Sequence, residues 1–507
     1  MREKQYRSLC EACDAALLAP DATLERVSIP WLHVIREHPV VLAQYMDVVH
    51  PSKGIGRWTR RLVRSVRSSV TWGRQILRAL RSSGSQWFGR ELPHRIDVLV
   101  VSHLLNPSQA GQADDFYFGR LPGEMASQGR SVLIALINHT VKSDEALANE
   151  WKDDAVPRVI LSRSLNLLAE RDFRIRLRRE ARRLRELAAK EADPSVRRVL
   201  LGAAAEALSG GAQSNLRLAR QIAALVAELS PKAIIVTFEG HAWERIAFAA
   251  ARSAQPDVRC VGYQHSVLFL LQHAVRRNLG SGYDPDRILT AGAVSKAQLE
   301  RVPDFARTPI SVLGSNRGAS AGVTDSASVP RSGDRKRACL VLPEGFESEC
   351  YLLFEFSLAC ARALPDLPFI WRLHPLTNFQ ALAAANRRLR KLPPNVTLSE
   401  GTLEEAVNQS RWVLYRGTTA VVKAVLEGVR PIYLACENEL SIDPLQGVGD
   451  WRQRVTTIND FGRVIGHATR LREDSGEEGT VEQDSRAARE YCAQLFTPFD
   501  YDVLSEI

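Results

Sequence analysis

Short runs of consecutive apolar residues, each closed by polar residues or glycine and followed by helical periodicity, recur from residue 96 to the mid-430s. A first series of predicted strands covers residues 96–103, 131–138, 156–161, 233–237, 259–263, 287–290 and 309–313. A second series covers 338–342, 369–373, 396–398, 412–415 and 431–434. Runs apolar at successive positions are buried on both faces, which marks parallel strands covered by helices. An Arg-, Glu-, Ala- and Leu-rich segment over 165–229 interrupts the first series and predicts helix, with breaks at Pro194 and at Gly210-Gly211. Residues 315–337 are rich in Ser, Gly, Ala and Asp without any period and predict a linker. The pattern divides the chain into a helical N-terminal region (1–93), an α/β lobe (94–314, with the helical insertion 165–229), the linker, a second α/β lobe (338–470) and a helical tail (471–507). The expected fold class is α/β, with two Rossmann-type parallel-sheet lobes and a cleft between them.

A different pattern stands between Pro51 and Arg90. Ten Lys and Arg residues gather there with no Asp or Glu, while Ile55, Trp58, Leu62, Val66, Val70, Leu77 and Leu80 recur mostly three or four positions apart. That spacing predicts a cationic amphipathic helix, broken near Gly73 and ending at Trp87-Phe88, of the kind that lies on an anionic membrane surface over residues 53–90. The residues between the arginines are mostly aliphatic, not the aromatic platform that single-stranded nucleic acid requires, so no nucleic-acid partner is expected.

Composition adds two constraints. A formal charge of +9 on 507 residues points to an anionic partner. Eight cysteines, with Cys10 and Cys13 as a lone pair at CxxC spacing, make neither a disulfide framework nor a zinc site. The opening residues lack an apolar signal segment, and no run reaches bilayer-spanning length, so a cytoplasmic location is expected.

Ligands of open α/β sheets bind outside the carboxyl ends of the strands, so the residues that close each predicted strand are the candidates for chemistry. In the second lobe Arg372, His374 and Pro375 close one strand, with imidazole and guanidinium both able to donate to phosphate. Arg416, Gly417, Thr418 and Thr419 close another and precede a short helix, where hydroxyls and backbone amides favour an anion. Glu344 and Gly345 form a third loop on the same rim. The dipeptide His38-Pro39 also occurs, but in a segment read as helical and without this context. In the first lobe Glu239, with Gly240 and His241, closes an apolar strand, and either Glu239 or His241 is placed to act as a general base. Gln264, His265 and Ser266 close the next strand. Asp114 and Asp115, after the first strand, are read as an acceptor loop or as a helix cap.

These residues resemble the motifs of bacterial GT-B glycosyltransferases of surface polysaccharide biosynthesis, most nearly those using CMP-activated sugars such as sialic acid or Kdo. Glu239-Gly240 resembles the acidic-Gly motif that supplies the base, His374-Pro375 the His-Pro motif, and Thr418-Thr419 the Ser/Thr pair that holds CMP. Phe238 stands where the family has a second acid, which keeps His241 open as the base. The resemblance spans roughly residues 95–470. It implies a GT-B-like fold and metal-independent transfer of a sugar from a CMP-activated donor to a surface polysaccharide or lipid-linked glycan, with no cofactor. It also implies work on the inner face of the bacterial cytoplasmic membrane. A UDP- or GDP-sugar or a CDP-polyol phosphate would need the same phosphate edge. A non-catalytic assembly factor retaining the shell is the reading from another class.

Overall fold

The computed structural model describes residues 1–50, 70–80, 84–151, 156–318, 337–375, 377–470 and 478–506. Its strands are β1 (Trp87–Gly89), β2 (Val98–Leu104), β3 (Val132–Asn138), β4 (Arg158–Leu161), β5 (Ala233–Thr237), β6 (Arg259–Gln264), β7 (Arg287–Thr290) and β8 (Ile310–Val312) in one sheet. A second sheet holds β9 (Ala338–Leu342), β10 (Phe369–Trp371), β11 (Val396–Leu398), β12 (Ser410–Tyr415), β13 (Arg430–Leu434) and β14 (Gln453–Val455). The first sheet runs β1-β4-β3-β2-β5-β6-β7-β8 and the second β11-β10-β9-β12-β13-β14. All pairings are parallel except β1 with β4.

In each sheet the strand order reverses beside the lobe's first parallel strand, between β2 and β5 and between β9 and β12. These are the switch points of doubly wound sheets, where the flanking helices diverge and leave a crevice. Residues on β2, β3 and β5 are buried along both faces, as their unbroken apolar runs require. The chain has a GT-B-like fold, two Rossmann-type lobes in tandem.

The segment 165–229 forms three helices, Leu167–Lys190, Pro194–Glu206 and Gly210–Leu229, capped by the side chains of Asn166, Asp193 and Ser209. Each cap accepts a first-turn N–H that the helix cannot satisfy itself. The N-terminal helix Glu3–Leu17 buries Tyr6, Leu9, Cys10 and Cys13 in the same core as these helices, so the N-terminal region is a layer of the first lobe. After the helix Glu478–Ala493 the chain crosses back: Thr497 bonds Ala291 and Ser315, Asp500 N donates to Leu313 O, and Leu504 enters the first lobe's core.

Three expectations change. Residues 70–80 are helical straight through Gly73, and the preceding 51–69, which carry most of the arginine tract, lie outside the described residues. Trp87–Gly89 does not end a helix; it pairs antiparallel with β4, Trp87 opposite Leu161. Aromatic residues suit an edge strand, and three residues give too short a run for any period to show. The second sheet gains β14 beside β13, a strand beyond the expected series that ends at 434.

Candidate active site

At the first switch point, β5 ends at Thr237 and the chain turns through Phe238, Glu239 and Gly240 into the helix Ala242–Ala254. Gly240 has φ +87°, and a Cβ there would collide with the Ala274 carbonyl, so the turn requires glycine. Glu244, in the first turn of the helix, reaches back to accept the N–H groups of Glu239, Gly240 and His241 at 2.8–3.1 Å. This reciprocal cap locks the loop and aims two side chains outward.

Glu239 is 9% exposed. One oxygen accepts from the Ser266 hydroxyl; the other lies 3.5 Å from His241 Nε2 and 3.6 Å from the Arg36 guanidinium. Burial opposes its ionisation, but the His241 hydrogen bond and the nearby cations hold its carboxyl well below the ordinary value. Burial would lower His241; its bond to Glu239 and the charges of Glu244 and Glu239 outweigh that and raise it. Burial, reinforced by the Glu239 charge, pushes Glu244 up to about 7. A carboxylate is thereby paired with an imidazole whose proton affinity lies above its usual level.

Both face a cavity of about 580 Å³ that also takes in His103, Tyr117, His139, Trp243 and His265. His103 Nδ1 and His139 Nε2 are 2.9 Å apart, and the His265 ring lies 4.5 Å from that of Tyr117. Burial depresses all three of these histidines, His265 to about 4, so they are neutral hydrogen-bonding groups near pH 7. Thr71, Gln75 and Arg78, from the helical stretch 70–80, close one wall. Tyr117 belongs to the loop 114–119 read as an acceptor loop; His103 and His139 are not among the sequence candidates, although His103 lies near the carboxyl end of β2, where the rule applied to β5 points. A depression of about 640 Å³ around Trp87–Leu92 lies at the sheet edge and holds no residue of either switch point.

The remaining first-lobe candidates separate. His265 lines the cavity and Ser266 anchors Glu239, while Gln264 is buried and donates to the Ser266 carbonyl. Asp115 is buried and accepts from Ser102 Oγ and the N–H groups of Tyr117 and Phe118, so it builds a turn. Asp114 is exposed beside Arg120 at 3.7 Å. From that loop the cavity takes Tyr117, not the aspartates.

At the second switch point, the loops after β9, β10 and β12 converge. A Cβ on Gly345 would lie 2.9 Å from His374 Nδ1, and a Cβ on Gly417 would overlap the Glu344 carboxylate. Glu344, His374 and Gly417 therefore share one small space. His374 is half-buried, its imidazole lowered by burial, and Pro375 is exposed. β10 stops at Trp371, so Arg372 lies beyond the strand; its guanidinium donates to Gly401 O and Ser399 Oγ. Thr418 is nearly buried, its hydroxyl accepting from Ala420 N at 3.3 Å, and Thr419 stands at the N-cap position of the helix Ala420–Leu426 without a side-chain bond to it.

Arg416 departs from the phosphate-gripping expectation. Its buried guanidinium sits 2.9 Å from Glu349 and 2.7 Å from Glu439 and touches Cys436. Burial would weaken its charge, but the Glu349 and Glu439 carboxylates raise its proton affinity. A guanidinium held by two carboxylates is a structural pair, neutralised within the protein.

The chain matches no protein-family model and no curated protein. Among solved structures, the glycosyltransferase SnogD from Streptomyces nogalater is 13% identical, with a TM-score of 0.43 over 81% of this chain and 98% of its own. A UDP-GlcNAc 2-epimerase from Neisseria meningitidis, bound to UDP-GlcNAc, is 13% identical, with a TM-score of 0.43 over 81% of this chain and 99% of its own. A glycosyltransferase from Rickettsia africae is 10% identical, with a TM-score of 0.44 over 80% of this chain and 95% of its own.

Proposed function

We propose that this chain is a glycosyltransferase that moves a sugar from a nucleotide-activated donor to a hydroxyl of a glycan or lipid-linked glycan. The observation that carries the proposal is the Glu239–His241 pair, opening from the first switch point onto a cavity that His103, Tyr117, His139 and His265 also line. In this reading His241 accepts the proton of the acceptor hydroxyl as that oxygen attacks the anomeric carbon. Glu239 stabilises the imidazolium that forms, the role of an orienting carboxylate. The bond from the anomeric carbon to the leaving nucleotide breaks, and the electron pair goes to its phosphate. His374 and the Thr418-Thr419 turn receive that charge at the second switch point, with Arg372 behind them.

Among donors the His374-Pro375 and Thr418-Thr419 motifs favour a CMP-activated sugar of the sialic acid or Kdo type. A thermal-shift panel of CMP, UDP, GDP and CDP tests this, because a ligand at a hundred times its Kd stabilises the native state by about 2.7 kcal/mol. A shift with CMP, followed by transfer from the matching sugar, supports the proposal. A shift confined to UDP or GDP replaces the donor, and a shift with CDP alone favours a polyol-phosphate donor. No shift and no turnover with any donor removes the enzyme reading.

The proposal extends to an anionic membrane surface. In the helical stretch 70–80, Val70, Leu77 and Leu80 are 49%, 54% and 65% exposed beside Arg74 and Arg78. Among the described residues no helix is long and apolar enough to cross a membrane. Attachment through this stretch predicts flotation with anionic liposomes that weakens as salt rises. Equal flotation with neutral liposomes, or none with either, removes this part.

A further inference from the structure

Three residues near the N-terminus, Arg36, Glu37 and His38, touch both switch points. The Arg36 guanidinium is 3.6 Å from Glu239 Oε2, and His38 Nε2 is 3.1 Å from Glu344 Oε2. Cα atoms two residues apart are at most about 7 Å from each other, so one short strap spans the space between the two candidate edges.

The strap is held on several sides. Glu37 is fully buried and its Oε1 accepts from Leu271 N at 2.7 Å. Just before it, His33 bonds Val27 O at 2.8 Å and Arg277 at 3.0 Å, and Val34 adopts φ +43°. A β-branched residue in that region of φ is rare and is kept only where the surroundings enforce it. The layer carrying the strap also reaches the second lobe, where the N-terminal amine donates to Asn438 O at 3.1 Å.

The His38 contact has a defined chemistry. His38 Nδ1 accepts from Val40 N at 3.2 Å, which turns Nε2 toward Glu344; Nε2 lies 3.1 Å from Glu344 Oε2 but makes no well-aligned hydrogen bond among the described residues. The ring, 1% exposed, stands 5.0 Å from that of Phe346. Glu344 Oε1, against Gly417, is buried with no hydrogen-bond partner among the described residues. A buried acceptor lacking a donor is costly, and a ligand N–H or O–H would remove that cost.

Resting on the transferase reading, we infer that the Arg36–His38 strap is part of the active site, with His38 positioning Glu344 to accept a hydrogen bond from the sugar-nucleotide. Arg36 sets the Glu239 carboxylate from the other side. His38 is a positioning residue that acts through Glu344.

The test is His38→Ala beside His38→Gln, whose amide can donate to the same oxygen. Loss of the His38–Glu344 contact should raise the donor KM or the nucleotide Kd about tenfold, with kcat within about twofold. His38→Gln should recover most of the affinity. Hydrogen exchange supplies a readout independent of turnover: amides of residues 344–346 should exchange faster in His38→Ala, while those of the 210–229 helix keep their protection. Unchanged exchange at 344–346 overturns the inference even if no nucleotide binds. So does unchanged donor affinity in a protein that does bind one, or equal damage from Ala and Gln. Failure of the wild-type protein to bind any nucleotide strikes the transferase reading instead, and the exchange result still decides the strap.

Discussion

The two switch points occupy the same place in the same topology and are furnished in opposite ways. The first opens onto a cavity, with Glu239 and His241 aimed into it by a loop that Glu244 ties to its helix. The second is tightly packed, with Glu344 filling the space beside Gly417 and Arg416 bound to Glu349 and Glu439. Strand order alone therefore marks where a ligand belongs without saying how the edge treats it. The first edge pairs a carboxylate with an imidazole of raised proton affinity. The second crowds Glu344, His374 and Gly417 into one small space beside the Arg416–Glu349–Glu439 cluster.

Substitutions can break that contrast, and the largest effect belongs to the first edge. His241→Ala should lower kcat by roughly 10²–10⁴ while leaving nucleotide affinity intact, measured by steady-state kinetics and calorimetry. Comparable losses in KM alone would move the chemistry to the other edge. Glu244→Ala should come next, since it strips the acceptor from three loop amides. It should cost about 1–3 kcal/mol in denaturant unfolding, with activity falling alongside. Stability unaffected by that change would mean the loop is held in some other way.

The pH profile sharpens the comparison further. His241 must be unprotonated to accept a proton, and its raised value places the acid limb of kcat/KM above the usual histidine midpoint. Glu239→Gln removes the interaction that raises it, so the surviving activity should show an acid limb shifted to lower pH. A limb shifted upward would contradict the pairing. The same carboxylate links to stability: held below its unfolded value, Glu239 stabilises the fold above the ordinary glutamate range. That contribution is lost as pH falls through its folded value. Smallest of all, Asp114→Ala should change neither activity nor stability by more than about 0.5 kcal/mol, because its contact with Arg120 is a surface one. A large loss of activity there would return Asp114 to the acceptor site.

Much of the architecture was legible in the sequence because buried parallel strands must be apolar along both faces. β5 and β12 declare themselves that way. The edge strands β1 and β14 did not, since Trp87–Gly89 follows a run with helical spacing and Gln453–Val455 is polar at two of its three positions. Glu239 and His374 stand out as candidates in the sequence because each closes a legible strand. The ion pairs of Arg416 are not legible in the sequence, because its carboxylate partners lie 67 residues before it, at Glu349, and 23 after it, at Glu439. Local context cannot reveal partners that only the folded chain brings together. His38 was set aside for the same reason: its meaning comes from Glu344, more than three hundred residues away.

Gly314, at φ +91°, lets the backbone near Pro498 lie directly against the end of β8, where a Cβ would collide with it. With Leu504 in the first lobe's interior and the helix Glu478–Ala493 on the second, the two halves are joined by a second connection besides the linker. An engineered protease site within 319–336 should therefore yield two fragments that still migrate as one particle. Expressing the leading half without its last thirty residues would leave an unsealed face.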